Sequence, residues 1–229
     1  MKETLIELQA ANPQLSVLDV SAREFERYCR VLRGYDPSEV VARARAILPR
    51  SEDIVYEPSV PALEEPAPFN RAMVQEVYGG MPVQVGWCYG KNLQMAGLEY
   101  HKGTEIVVCL SDAVLLVGHL QDVAFGDDIT YDTSKVAAFY APEGSVIEVF
   151  PWCLHFAPIH VCEGGSFATL VYLPRGTNEP LTYQVGKVGE SRLLFAVNKW
   201  LIVHPGASAL VADGAYPGMV GDDIFVNPV

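Results

Sequence analysis

Gly97-Leu98-Glu99-Tyr100-His101-Lys102-Gly103-Thr104-Glu105-Ile106-Val107-Val108 sets two carboxylates and an imidazole inside an apolar, β-prone run. Burying such a cluster is costly unless something compensates its charge, and a divalent cation is the simplest compensator. Glu99 and His101 stand two residues apart, so on a strand they share a face. Lys102-Gly103-Thr104 reads as a tight turn, and Glu105 then opens the next strand. Neighbouring strands would bring the three side chains to one point.

Working outward, short β-branched and aromatic runs recur between Gly, Pro, Asp and Asn turns. They predict strands over Val83–Cys88, Leu93–His101, Glu105–Leu110, Ala113–His119, Val136–Tyr140, Ser145–Phe150, Leu154–Val161 and Phe167–Leu173. So many strands at such spacing predict an antiparallel sandwich or barrel, a mainly β fold. Asp122 to Asp132 reads as an acidic loop. Leu193 to Val203 reads as a strand or the end of a helix, stopped by His204-Pro205-Gly206. The remaining Gly-, Pro- and Asp-rich residues are expected to wrap the surface.

Toward the N-terminus the texture is helical. Ser21-x-x-Glu24 forms a capping box, with Phe25, Tyr28, Cys29 and Leu32 at helical spacing before Gly34. Asp36-Pro37-Ser38-Glu39 starts a second helix, whose stripe is Val40, Val41, Ala44, Ile47 and Leu48. Glu57 to Pro68 is rich in proline and glutamate and reads as an exposed connector. Phe69 to Tyr78 is a third short helix, closed by Gly79-Gly80. The expected organisation is a helical segment and connector over 1–80, packed on a β unit with a C-terminal extension over 81–229.

The chain of 229 residues is 50% hydrophobic and 19% charged, which fits a folded protein. Its net charge of −12 disfavours nucleic acid or an anionic membrane surface as a partner. A small-molecule substrate stays open, because a metal can reverse the local field. The N-terminus lacks the pattern of a secretory signal, and the most apolar run, Ile106 to Gly118, is too short to span a bilayer. The five cysteines, Cys29, Cys88, Cys109, Cys153 and Cys162, form no zinc spacing and read as structural thiols. An odd number without an export signal points to a cytoplasmic location. A homodimer paired through exposed strands is the expected assembly.

A second chemical stretch is Ala141-Pro142-Glu143-Gly144-Ser145-Val146-Ile147-Glu148-Val149-Phe150-Pro151-Trp152-Cys153-Leu154-His155. Pro142-Glu143-Gly144 is a turn signal. Glu148 shares strand parity with Val146 and Phe150. His155 follows the interruption at Pro151, a position suited to facing a cavity. His119, His160 and His204 read as hydrogen-bonded or surface residues, and His160 has strand parity opposite to His155.

The two stretches together resemble the cupin superfamily, a jelly-roll β-barrel of the RmlC-like type. Its first motif reads His-x-His, three or four residues, then Glu, and its second supplies one further His after a Pro/Gly turn. Here the first motif stands as Glu99-x-His101-x-x-x-Glu105, with Glu in place of the leading His. The second maps to Pro151-Trp152-Cys153-Leu154-His155, without the usual internal Gly. The resemblance implies Glu99, His101, Glu105 and His155 as metal ligands, with Glu99 or Glu148 completing the set. Over residues 97 to 173 the chain is similar to ureidoglycolate lyase, which shares the Glu-x-His spacing and a late His. Gly86-Trp87-Cys88, Leu154-His155-Phe156-Ala157-Pro158 and Asn198-Lys199-Trp200-Leu201-Ile202 also look like a family of uncharacterised bacterial cupins.

Two carboxylates and two imidazoles form a mixed donor set suited to Mn, Fe, Zn, Ni or Co. Glu148 is the candidate general base, because its strand leads to His155. Lys199 is the candidate cation for a substrate carboxylate or phosphate. The expected function is a metal-dependent isomerase or lyase acting on a sugar, sugar acid or ureido acid. A non-catalytic carbohydrate-binding cupin, a ureidoglycolate lyase-like enzyme and a metal-dependent dioxygenase are the alternatives.

Overall fold

The computed structural model describes residues 2–229. From the N-terminus the strands are β1 (Val17–Asp19), β2 (Cys29–Val31), β3 (Val55–Glu57), β4 (Val83–Gly90), β5 (Gly97–Tyr100) and β6 (Glu105–Cys109). Next come β7 (Ala113–His119), β8 (Ala124–Phe125), β9 (Ile129–Asp132), β10 (Ala137–Ala141), β11 (Val146–Val149) and β12 (Cys153–Leu154). The last are β13 (Ile159–His160), β14 (Phe167–Pro174), β15 (Leu194–Ala196), β16 (Lys199–Val203) and β17 (Met219–Val220). The α-helices are short: α1 (Lys2–Ala11), α2 (Ser38–Ile47), α3 (Pro61–Glu64), α4 (Pro68–Ala72) and α5 (Ser208–Ala212).

One sheet runs β2-β11-β6-β14-β4-β3, and the other runs β1-β10-β7-β12 with β13 also on β7. Alternation along the strands explains why the two sheets stack. Val107, Ile147 and Val149 of the first share one cluster with Leu115, Val117 and Phe139 of the second. Their neighbours Ile106, Val108 and Val146 point outward, where α2, α3 and α4 cover them. The second sheet's outer face packs Val114, Leu116 and Tyr140 against Leu8 of α1 and Leu98 of β5. Fully burying each such aliphatic side chain contributes about 1.5–3 kcal/mol. Truncating Phe139, which is 1% exposed between the sheets, would cost about 3–5 kcal/mol.

The helical reading of Ser21 to Gly34 is corrected. Arg23–Arg27 is a single 3-10 turn, and Cys29–Val31 is a strand. Val31, Arg30 and Cys29 pair with Ile147, Glu148 and Val149, so an open sheet edge overrides helical spacing. Strands β1 and β3 likewise extend the sheets, which makes the first eighty residues more than a helical cap. The predicted strand Leu154–Val161 divides into β12 and β13 around Pro158, which has no N–H for a ladder. Within the acidic loop, Ala124–Phe125 and Ile129–Asp132 pair as a short hairpin. No helix among the described residues is long and apolar enough to cross a membrane.

Candidate metal centre

The turn 102–104 carries the chain from β5, beside the five-stranded sheet, to β6 in the six-stranded sheet. Glu99 and His155 face each other across an antiparallel bridge, with Glu99 N–H donating to His155 O at 2.7 Å and the reverse bond at 2.9 Å. Leu98 and Tyr100 bury themselves on one face of β5. Glu99 and His101 therefore turn toward the gap between the sheets, where β6 presents Glu105.

His155 Nε2 lies 3.1 Å from Glu105 Oε2. His101 Nε2 lies 3.4 Å from the same oxygen and 3.7 Å from Glu99 Oε1. Glu99, His101 and His155 each offer one ligand atom, all within 4.8 Å of one another. Glu105 falls outside that mutual set but touches both imidazoles, so the four predicted ligands converge.

The imidazoles are held in orientation from behind. His101 Nδ1 meets the Asn198 carbonyl at 2.7 Å, and His155 Nδ1 meets the Cys153 carbonyl at 3.3 Å. A carbonyl only accepts, so His101 Nδ1 carries the proton and its Nε2 is the atom left to coordinate, whereas His155 Nε2 already donates to the Glu105 carboxylate and would give up that proton to a metal. Asn198 is itself clamped in left-handed backbone, with φ 55. Its Oδ1 accepts Lys102 N–H at 2.8 Å, and its Nδ2 donates to Thr177 Oγ1 at 2.9 Å. Sequence reasoning did not assign Asn198 a role; the only signal was its place beside Lys199 and Trp200.

The electrostatics are those of a site built for positive charge. Burial pushes the His101 imidazole down, but the Glu105 and Glu99 carboxylates outweigh it and raise it to about 9. Burial would raise Glu105, yet His155 and His101 hold it at about 2. Glu99 is driven below the usual carboxylate range against burial, chiefly by Lys199 and His101. Lys199 Nζ makes an ion pair with Glu99 Oε2. Lys199 shares strand parity with Leu201, which pairs with Glu99, and this brings the ammonium to the cluster.

His101 Nε2 is buried and has no hydrogen-bond partner, an expensive state that coordination would relieve. Two imidazoles and two carboxylates suit a first-row divalent ion. The residues therefore fit a metal.

Glu148 requires correction. It sits on the outer face of β11, paired with the Arg30 guanidinium and accepting from Thr104 Oγ1 at 3.1 Å. Val149, one residue on, is the residue of β11 that lines the cavity. Glu148 thus neither faces the cluster nor completes it. His119, His160 and His204 each accept a backbone N–H, from Gln121, Asn92 and Gly206.

A cavity with about 60 Å³ of free room runs from Glu99, Glu105 and His155 into the space between the sheets. Val107, Leu115, Val117 and Val171 form apolar walls, and Tyr56 and Asn178 add polar atoms. Neither Tyr56 nor Asn178 carried a signal in the sequence.

A search of solved structures finds Bacillus subtilis oxalate decarboxylase at pH 4.6, 15% identical, with 44% of this chain and 23% of that chain covered and a TM-score of 0.28. A mutant of the same enzyme is 14% identical over 44% of this chain and 24% of that chain, with a TM-score of 0.30. An oxalate decarboxylase structure concerned with proton-coupled electron transfer is 12% identical over 56% and 27%, with a TM-score of 0.31. The chain thus spans about a quarter of the length of these solved chains. No curated protein matches the sequence. A family model matches residues 17–224, so the chain belongs to the family described as Domain of unknown function (DUF4867).

Proposed function

We propose that this chain is a metal-dependent protein of cupin type, its two sheets forming a jelly-roll barrel, with Glu99, His101, Glu105 and His155 as ligands. The observation that carries the reading is the buried, unpartnered His101 Nε2 beside two carboxylates and a second imidazole. A bound divalent ion would polarise a substrate carbonyl or hydroxyl, or lower the pKa of a water. The Asn198 carbonyl fixes the His101 tautomer, and the Cys153 carbonyl orients the His155 ring. Lys199 restrains Glu99 and offers further N–H donors at Nζ to a substrate carboxylate.

The reading favours a small substrate, a sugar acid, ureido acid or sugar, transformed by isomerase or lyase chemistry. With Glu148 outside the cavity, Lys199 is the remaining proton-bearing candidate. That loss of a spare carboxylate favours a second reading, a binding protein without turnover. Elemental analysis of the purified chain tests the metal. A substrate panel with the identified ion, read by mass spectrometry, then separates turnover from binding. Metal-free protein whose stability ignores chelators would sink both metal-dependent readings.

A further inference from the structure

Away from the ligand cluster, the same cavity holds a pair of polar groups whose bonding is incomplete. Asn178 Nδ2 donates to Tyr56 Oη at 2.8 Å. Asn178 Oδ1 is buried without a partner. The Tyr56 hydroxyl accepts that bond, and among the described residues its own proton meets no acceptor. Burial and the Glu105 and Glu99 carboxylates push the Tyr56 hydroxyl well above its ordinary pKa, so it stays a neutral donor.

The arrangement presents one donor and one acceptor, side by side. Turning the Asn178 amide over preserves this. Tyr56 would then donate to Oδ1, leaving a free Nδ2–H and a free lone pair on Tyr56 Oη. The pair is also held in place. Asn178 adopts left-handed backbone, φ 70, and its N–H donates to the Val197 carbonyl at 2.9 Å. Tyr56 is carried on β3, at the sheet edge against Cys88. An unfilled acceptor in a low-dielectric cavity is costly, so a persistent one marks a place where a ligand group completes the bonding.

We infer that this end of the cavity receives a neutral amide edge, a carbonyl and an N–H on neighbouring atoms, carried on a compact apolar body. Tyr56 and Asn178 bond the edge, while Val107, Leu115, Val117 and Val171 accept the body. A carboxylate fits poorly here, since it has no donor for the acceptor and would face the field of Glu99 and Glu105. The inference rests on the proposed function only in taking this cavity as the substrate chamber.

Three probes of equal size test it on the full chain as purified: isobutyramide, 3-methylbutan-2-one and isobutyrate. Ligand-observed NMR titration should show the amide binding about tenfold tighter than the ketone, which lacks the donor. Tyr56→Phe should weaken amide binding by about tenfold, and the ketone, whose carbonyl takes the same O–H, should weaken with it. Asn178→Gly keeps the left-handed backbone without strain and should erase the amide preference; it carries the test if Tyr56→Phe does not fold. Equal binding of amide and ketone, no amide binding at millimolar concentration, or unchanged amide affinity in both variants overturns the inference. Metal content measured on the same samples keeps the two readings apart. Missing metal defeats the proposed function while an amide preference stands, and bound metal without that preference defeats only this inference.

Discussion

Glu105 and Glu148 lie on paired strands of one sheet, one residue out of register, and meet opposite surroundings. Glu105 pairs with Val149 and points between the sheets at two imidazoles, whereas Glu148 pairs with Ile106 and points outward at Arg30. Both are buried, at 6% and 8% exposure, so burial does not separate them. The partners do. Arg30 is a permanent cation that satisfies Glu148, while imidazoles satisfy Glu105 only when protonated and otherwise join it in holding a metal. Without an ion the inner face is completed only by protonating an imidazole, as the raised His101 shows, whereas the outer face is complete as it stands.

The largest effect should come from breaking the inner face. Glu105→Gln should strip bound metal from the purified chain, with affinity down by at least about 100-fold, the upper range for losing even an outer-shell partner. Glu148→Gln should keep its metal, as elemental analysis would show. Metal loss in both variants, or in neither, would erase the distinction between the faces. Chelation of the wild type reads the same contrast as stability. If free metal stands at about 100 times Kd, its removal costs about 2.7 kcal/mol, seen as a lowered Tm. Glu105→Gln should show no such shift.

A smaller effect should follow from loosening the support behind His101. Asn198→Gly keeps the left-handed backbone and the carbonyl, but it removes the clamps on Lys102 and Thr177. Metal affinity should fall by about tenfold. Unchanged affinity would mean that the backbone alone sets the imidazole.

The same contrast explains what could be read from residues alone. Ala113–His119 was legible to the residue because it is a continuous apolar run that starts right after the turn residues Ser111-Asp112. Glu99 and His101 were legible because a two-residue spacing fixes a shared face. Glu148 misled because helices cover the outside of its sheet, so Val146 and Glu148 are buried on a face that is not the cavity. Parity pairs residues with one another but does not say which side is inner. Cys29–Val31 was hidden because Phe25, Tyr28, Cys29 and Leu32 also fit a helix, and only the exposed edge of β11 decides between the two. Lys199 could be seen as a cation, but its contact with Glu99 depends on the β5–β16 pairing, a hundred residues apart in sequence.

On the outer face, Glu148→Gln should cost about 1 kcal/mol, since Arg30 is 58% exposed at its side chain and keeps its hydration when the pair is lost. Urea unfolding would read it, with metal content unchanged. A loss several times larger would mean that the outer pair is sealed from water and as demanding as the inner cluster.

The smallest expected effect concerns Glu64, another outer carboxylate. Burial raises its pKa, but the Ser59 hydroxyl, the Arg175 guanidinium and the Val85 N–H outweigh it and hold it below the ordinary value. A folded pKa below the unfolded one, which is about 4.3, means that Glu64 stabilises the fold above that pH and loses its contribution as pH falls below it. The contribution is under about 1 kcal/mol, because Arg175 is half-exposed. Denaturant unfolding between about pH 6 and 3 should therefore show a shallower acid decline in Glu64→Gln than in the wild type. The difference should be the same with and without a chelator, since every partner of Glu64 is a protein group. If the chelator changed it, the ion's influence would reach through the sheet, and the two faces could not be treated as separate electrostatic systems.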